Sequence, residues 1–135
     1  RNCSPIMLKA EESEPLTPPP RKKGMSRLIA ATRYSWAGLV AAFRGEEALR
    51  MEVAAFVVLA PLGLWLGQSE VERVLLVASL VLVMIVELLN TAVEKVVDRF
   101  GGEYHELSRN AKDIGSAAVF IAMGLVLFTW GMLLL

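Results

Sequence analysis

Four polar side chains follow one another at helical spacing near the end of a long apolar stretch. The apolar stretch runs without interruption over residues 74–86. The polar residues after it lie three or four positions apart and are Glu87, Asn90, Glu94 and Asp98. On a helix this spacing places them on one side, and carboxylates at membrane depth usually mark a functional site. Such a row can carry a proton, bind a cation or connect a buried acid to a phosphate donor; the alternative is pairing with basic groups between helices.

A second group of polar residues lies within residues 99–113. Lys112 and Ser116 are four positions apart, so both can face one site on a helix. The alternative for Lys112 is an interfacial anchor whose charge reaches water. For His105 the alternative is a solvent-exposed loop position, and for Tyr34 it is an aromatic anchor at the membrane surface.

The elements that must position these residues are three apolar stretches. A helix that starts at residue 74 must continue to about residue 93 to cross a hydrocarbon core of about 30 Å, which places Glu87 and Asn90 inside it. Residues 53–66 and 114–135 carry no charge. The spans are predicted at about 51–67, 74–97 and 114–135.

The composition agrees with this organisation. Of the 135 residues 55 % are hydrophobic, and the mean hydropathy of +0.50 is too high for an ordinary soluble domain of this length. Basic and acidic side chains balance at 14 each, which argues against a nucleic-acid partner. The single cysteine, Cys3, excludes a disulfide framework. The sequence therefore predicts an all-α membrane protein.

The N-terminal part divides into a tail and a helix. Residues 1–24 contain three consecutive prolines and few apolar side chains, so a disordered tail is predicted there, ahead of a membrane domain at 25–135. Residues 26–44 predict an amphipathic helix that lies in the headgroup plane, or packs on its own protein. Glu46, after this helix, is an ordinary interfacial acid unless a metal lies near it.

The distribution of Lys and Arg predicts the orientation in the membrane. Most of these residues precede the first apolar stretch or lie between the second and the third, whereas the first turn carries Arg73 alone. The positive-inside rule then places the N-terminus and the second loop in the cytoplasm, with the C-terminus on the far side of the membrane.

Two segments strongly resemble prokaryotic diacylglycerol kinase. They are residues 86–94 (VELLNTAVE) and residues 103–118 (EYHELSRNAKDIGSAA). Arg27, the Tyr34-Ser35-Trp36 segment and Glu46 fit the same family in order and spacing, and the resemblance extends over about residues 26–135.

The resemblance implies a homotrimeric lipid kinase of the bacterial inner membrane. Each subunit would carry an amphipathic interfacial helix and three spans. The family transfers the γ-phosphoryl group of MgATP to the primary hydroxyl of diacylglycerol, which gives phosphatidic acid for phospholipid metabolism. A branch of the family phosphorylates undecaprenol, which is the alternative substrate. Buried glutamates alone would also suit a small ion or drug transporter, a more distant alternative.

The resemblance also implies roles for individual residues. Glu87 matches the general base that acts on the lipid hydroxyl, and Glu46 and Glu94 match the acids that hold the Mg²⁺ of ATP. Asn90 lies near the base and the phosphate, and Lys112 neutralises the transferring phosphoryl group. The further matches are Asp113 at the catalytic and nucleotide site, Tyr104, His105, Arg27 and Tyr34 at the nucleotide, and Arg27, Ser35 and Ser116 at the lipid.

Overall fold

The computed structural model describes residues 18–20, 23–101 and 105–135, whose regular secondary structure is helical. Four helices follow in chain order: α1 (Met25–Gly45), α2 (Glu47–Leu66), α3 (Glu70–Asp98) and α4 (Glu106–Leu134). Each of α2, α3 and α4 is long and apolar enough to cross a membrane. This confirms the predicted all-α fold with three candidate membrane spans.

The chain divides into two compact units, Arg1–Ser35 and Trp36–Leu135, and α1 contributes residues to both. The predicted disordered tail at 1–24 falls mainly on residues outside the described ranges. Gly24 directly precedes α1 with a φ of 65°, a conformation that glycine adopts without the steric cost of a Cβ.

A single extended residue separates α1 from α2. Glu46 has φ −122° and ψ 114°, and its side chain makes no capping hydrogen bond to α2. Arg50 donates from Nη1 to the carbonyls of Phe43 and Arg44, at 3.1 and 2.9 Å, and so satisfies acceptors at the open end of α1. The Glu46 carboxylate is left for other contacts, at a helix N-terminus whose partial positive charge favours an anion.

Polar side chains hold the turn between α2 and α3. The Ser69 hydroxyl accepts a hydrogen bond from the Glu72 amide at 3.2 Å, and the Glu72 carboxylate accepts from the Gln68 amide at 2.9 Å. This pair is a close variant of the capping box. Arg73 donates from Nε to the Gly67 carbonyl at 3.2 Å. Because its cap lies in polar sequence, α3 begins ahead of the apolar stretch that predicted it.

Helix α3 lies in the middle of the second unit and packs against both α2 and α4. Its buried side chains recur three or four residues apart and therefore lie on one side of the helix. They are Leu76, Ser79, Leu80, Val83, Glu87, Asn90 and Thr91. This side is mainly apolar in its first half and polar in its second.

The three candidate spans meet at Leu76, which is fully buried. The indole Nε1 of Trp130, on α4, donates to the Leu76 carbonyl at 3.2 Å. A Cβ added to Gly63, on α2, would lie 3.2 Å from the Leu76 Cβ and 3.3 Å from the Trp130 ring. The absence of a side chain at Gly63 therefore permits this close approach.

Most apolar side chains of α4 face outward from the single chain. Ala122 is its one buried residue. The exposed apolar residues of α4 include Phe120, Ile121, Leu127, Phe128 and Met132. Lipid tails are as apolar as these side chains, so a bilayer accommodates a surface that water would not.

Replacing Gly63 with valine tests the crowding at this junction. Valine adds a Cβ and two methyl groups where neighbouring atoms already lie in close contact, so we expect Gly63→Val to destabilise the protein by about 1–3 kcal/mol. The measurement is thermal unfolding in detergent, followed by circular dichroism at the helix band.

The matched control is Gly131→Val on α4, because nothing lies within 4 Å of a Cβ at Gly131. We expect this variant to unfold close to the wild-type temperature. Equal losses in the two variants would show that a general effect of the added side chain, and not crowding against Leu76 and Trp130, causes the change.

Candidate active site

The polar row predicted from residue spacing lies on α3 and passes from the interior to the exposed end of the helix. Glu87 and Asn90 are 6 % and 9 % exposed, and Thr91 beside them is 3 % exposed. Glu94 is half-buried, and Asp98 in the last turn is exposed. The row therefore leads from a buried carboxylate to the surface within about three helical turns.

The carboxamide of Asn90 links two parts of this row. Its Nδ2 donates to Oε1 of Glu94 at 3.3 Å. Its Oδ1 and the Thr91 hydroxyl are buried without a hydrogen-bond partner among the described residues. A buried polar atom without a partner costs about 1–3 kcal/mol, so native structures contain few of them. The Asn90 Oδ1 and the Thr91 hydroxyl are therefore polar groups that the described residues leave unsatisfied.

Glu87 and three carboxylates near it, Glu46, Glu52 and Glu94, form a group that we call the carboxylate cluster. The charges of Glu46 and Glu94 act on Glu87, and the charge of Glu87 acts on Glu52. Negative charges gathered in this way repel one another unless a cation lies near them. Positive charge from a side chain or a ligand relieves this repulsion, as does protonation of a carboxylate.

The cluster suits a cation that arrives with phosphate groups. In the ranges that the structure describes, no group of three or more His, Cys, Asp or Glu side chains is arranged to hold a metal by itself. Mg²⁺ carried by a nucleotide takes one or two carboxylates from the protein, and phosphate oxygens and water complete its coordination. Glu46, free of capping, and Glu94 are suitable carboxylates for this purpose.

Sequence reasoning missed Glu52 as a member of the cluster. Both of its carboxylate oxygens are buried without a hydrogen-bond partner in the described part of the chain. Glu52 directly precedes the uncharged stretch at 53–66, and this position was the available signal. Helix α2 is apolar around most of its circumference, so periodicity alone does not show that Glu52 faces Glu87.

An ion pair joins the outer end of the polar row to α4. The Lys112 ammonium donates to Oδ1 of Asp98 at 2.6 Å, and the charge of Glu94 also acts on it. Arg109 and Asp113 form a second, longer pair at 3.9 Å, one turn apart on α4. Lys112 therefore lies beside the polar row, and its positive charge interacts with Asp98 and Glu94.

A polar cleft of about 680 Å³ opens at this end of α3 and α4. The charged and aromatic side chains around it are Asp98, Phe100, His105, Arg109, Lys112 and Asp113. His105 caps α4, since its Nδ1 accepts a hydrogen bond from the Leu107 amide at 3.1 Å. Tyr104 lies outside the described residues, so its predicted contact with the nucleotide stays a prediction.

An apolar groove of about 400 Å³ lies between the second half of α1, α2 and α3. Its lining residues include Trp36, Leu39, Phe43, Val53, Met84 and Leu88. Leu88 follows Glu87 directly in the chain, so the groove and the buried carboxylate share one turn of α3. Its apolar lining suits an alkyl chain.

The remaining predicted residues are placed as follows. Ser116 is exposed on α4, one turn after Lys112. Arg27, Tyr34 and Ser35 belong to the first unit of the chain, where all three are exposed. The Ser35 hydroxyl donates to the Ala31 carbonyl at 2.9 Å.

Comparison with known proteins gives a consistent result over most of the chain. A family model described as prokaryotic diacylglycerol kinase matches residues 33–134. Diacylglycerol kinase from Escherichia coli (strain K12) is 52 % identical over 111 residues, which cover 82 % of this chain and 91 % of that protein.

Two relatives from other bacteria agree. Diacylglycerol kinase from Haemophilus influenzae is 51 % identical over 108 residues, 80 % of this chain and 92 % of that protein. Diacylglycerol kinase from Pseudomonas aeruginosa is 49 % identical over 122 residues, 89 % of this chain and 99 % of that protein.

Both carboxylate oxygens of Glu52 are buried without a hydrogen-bond partner in the described part of the chain, so we expect this side chain to lower the stability of the protein. Replacing it with methionine removes two unpartnered buried oxygens and keeps an unbranched side chain of similar length. We expect Glu52→Met to stabilise the protein by about 1–3 kcal/mol, because an uncompensated buried carboxylate is costly. Thermal unfolding in detergent measures the change.

Glu47→Met is the matched control, since Glu47 is an exposed acid on the same helix. It should not raise the unfolding temperature. A stabilisation of the same size in both variants would mean that general hydrophobicity, and not the burial of Glu52, is responsible.

Proposed function

Because this chain belongs to the prokaryotic diacylglycerol kinase family, we propose that it transfers the γ-phosphoryl group of MgATP to the primary hydroxyl of diacylglycerol. The products are phosphatidic acid and ADP. The observation that carries the proposal is the polar row of α3, in which the buried Glu87 leads through Asn90 to an exposed end. A lipid hydroxyl stays near the interface and a nucleotide stays in water, so the reaction needs a site that crosses this boundary.

Glu87 is the proposed general base. It takes the proton of the lipid hydroxyl as the hydroxyl oxygen bonds to the γ-phosphorus. The bond between the γ-phosphorus and the bridging oxygen breaks, and ADP leaves with that oxygen. Phosphoryl transfer requires mainly positioning and charge stabilisation from the protein, and a general base contributes typically 10²–10⁴-fold. The burial of Glu87 keeps water away from the proton that it accepts.

Glu46 and Glu94 are the proposed protein ligands of the Mg²⁺ that enters with ATP. Their charges converge with that of Glu87, so a divalent cation relieves the repulsion within the carboxylate cluster. The hydrogen bond from Asn90 fixes one oxygen of Glu94 and leaves the other oxygen for the cation. Bound Mg²⁺ supplies positive charge to the phosphate oxygens during transfer.

The polar cleft is the proposed nucleotide site. Lys112 lines this cleft, and we propose that its ammonium exchanges Asp98 for the phosphate oxygens when ATP binds. An exposed ion pair contributes only about 0–1 kcal/mol, so the exchange is not costly. Asp113 and His105 line the same cleft. Tyr104, Arg27 and Tyr34 are further proposed nucleotide contacts, and they rest on the family resemblance alone.

The apolar groove is the proposed slot for an acyl chain of the substrate. It is lined by both α2 and α3, and it lies on the turn of α3 that carries Glu87. A lipid chain in this groove would hold the glycerol hydroxyl near the carboxylate. Arg27, Ser35 and Ser116 are proposed contacts of the lipid headgroup on the basis of the resemblance.

We further propose a homotrimer in the bacterial inner membrane. The outward apolar faces of the candidate spans are a feature that neighbouring subunits and lipid would complete. The number three comes from the family resemblance. In this arrangement α1 lies in the interface as an amphipathic helix. The N-terminus and the loop between α3 and α4 are cytoplasmic, and the C-terminus is periplasmic.

The proposed base is tested by Glu87→Gln, assayed by transfer of labelled γ-phosphate from MgATP to lipid in micelles. Glutamine has a similar shape but cannot accept the proton, so we expect the rate to fall by about 10²–10⁴-fold. Diacylglycerol and undecaprenol are offered separately, and we expect wild-type protein to label diacylglycerol.

Glu70→Gln is the control for this experiment, because Glu70 is an exposed acid in the first turn of the same helix. It should retain wild-type activity. Retained activity in Glu87→Gln would remove Glu87 from the role of base. Label in undecaprenyl phosphate alone would keep the mechanism and overturn the substrate.

The proposed metal ligand is tested by the Mg²⁺ dependence of Glu94→Gln. Loss of one carboxylate ligand should raise the Mg²⁺ concentration needed for half-maximal rate by about 10-fold or more. The titration is made at constant free ATP, with Glu70→Gln again as the control. An unchanged Mg²⁺ requirement would count against Glu94 as a ligand.

A further inference from the structure

Gly115 lies against the buried carboxamide of Asn90. It is on α4, about two helical turns after Leu107. A Cβ built on Gly115 would collide with Oδ1 of Asn90, and it would lie 3.2 Å from the Cγ of the same side chain. The atoms nearest to that Cβ all belong to the Asn90 side chain. This close contact therefore joins Gly115 to the side chain of Asn90.

Other glycines of α4 have no such neighbour. Nothing lies within 4 Å of a Cβ built on Gly124 or on Gly131. Glycine in the middle of a helix lowers helix stability relative to alanine, so its presence at a crowded position has a packing reason. At Gly115 the reason is the space that the Asn90 carboxamide occupies.

Contacts of both the nitrogen and the oxygen fix the orientation of the Asn90 carboxamide. Its Nδ2 donates to Oε1 of Glu94 at 3.3 Å, and its Oδ1 is buried on the side of Gly115. The α-hydrogen that takes the place of a Cβ on Gly115 points toward Oδ1, which is the arrangement of a weak Cα–H···O contact between helices. A methyl group there would push Oδ1 away and turn Nδ2 from Glu94.

We infer that Gly115 is a positioning residue for the carboxylate cluster: its missing side chain lets the Asn90 carboxamide lie against α4 with Nδ2 directed at Glu94. Gly115 touches neither substrate nor metal in this arrangement and acts through Asn90. The inference rests on the proposed function, because Glu94 is a proposed ligand of the Mg²⁺ that enters with ATP.

The test is Gly115→Ala in the full-length protein, purified in detergent micelles, with Gly124→Ala as the matched control on the same helix. We expect Gly115→Ala to raise the Mg²⁺ concentration for half-maximal transfer to diacylglycerol by about 5-fold or more, since Glu94 loses the donor that orients it. Gly124→Ala should titrate as wild type. A lower maximal rate with an unchanged Mg²⁺ requirement would indicate a general packing role and overturn the inference.

A double-mutant cycle separates an effect through Asn90 from any other. In an Asn90→Ala background the carboxamide is absent, so adding Gly115→Ala should change neither the Mg²⁺ requirement nor the residual rate further. The unfolding temperature gives a readout independent of activity. Gly115→Ala should lower it in the wild-type background and leave it unchanged or raise it in the Asn90→Ala background.

Additive effects in both readouts would overturn the inference. If Gly115→Ala does not yield folded protein, recovery of folded protein in the double variant supports the contact, and failure of both overturns it. If wild-type protein labels no lipid, the proposed function fails, whereas the cycle of unfolding temperatures still decides whether Gly115 acts through Asn90.

Discussion

A carboxylate buried inside an apolar helical bundle is the constraint on which the rest of this structure depends. Glu87 is nearly inaccessible, and its neighbours Asn90, Thr91 and Glu52 hold buried polar atoms without partners among the described residues. Such groups weaken a bundle unless the surrounding packing holds the helices in place. The junction of Gly63, Leu76 and Trp130, in the other half of α3, supplies close packing of this kind.

Helix α3 thus combines two tasks along its length. Its first half fixes the positions of α2 and α4 by close contact and by the hydrogen bond of Trp130 to a backbone carbonyl. Its second half presents polar groups whose partners arrive from other elements, such as Lys112 from α4. Both halves belong to one continuous helix, so the apolar junction and the polar row share one axis.

The sequence predicted the elements more completely than the contacts between them. Apolar length predicted three spans, and the spacing of Glu87, Asn90 and Glu94 predicted a shared helix face, because both patterns are local. Glu52 and the contact of Gly115 with Asn90 were not predicted. They depend on how α2 and α4 rotate about their own axes, and nearly uniform apolar helices carry no periodic signal for that rotation. The alternative of pairing with basic groups between helices holds for Asp98, which pairs with Lys112 of α4.

The length of α3 relates the chemistry to the thickness of the bilayer. Its 29 residues span about 43 Å, whereas the 20 residues of α2 span about 30 Å, close to the hydrocarbon thickness of a typical membrane. The capped turn keeps the end of α2 and the start of α3 at the same level. The extra length of α3, about 13 Å, therefore extends beyond the start of α2 at the opposite end, where the polar row ends. In a membrane that α3 crosses, every added 1.5 Å of hydrocarbon thickness encloses one more residue of this helix, and the polar row gains a member only every three or four residues. Hydrophobic mismatch would then change how far the carboxylate cluster is exposed to water, which would make lipid chain length a variable of the site.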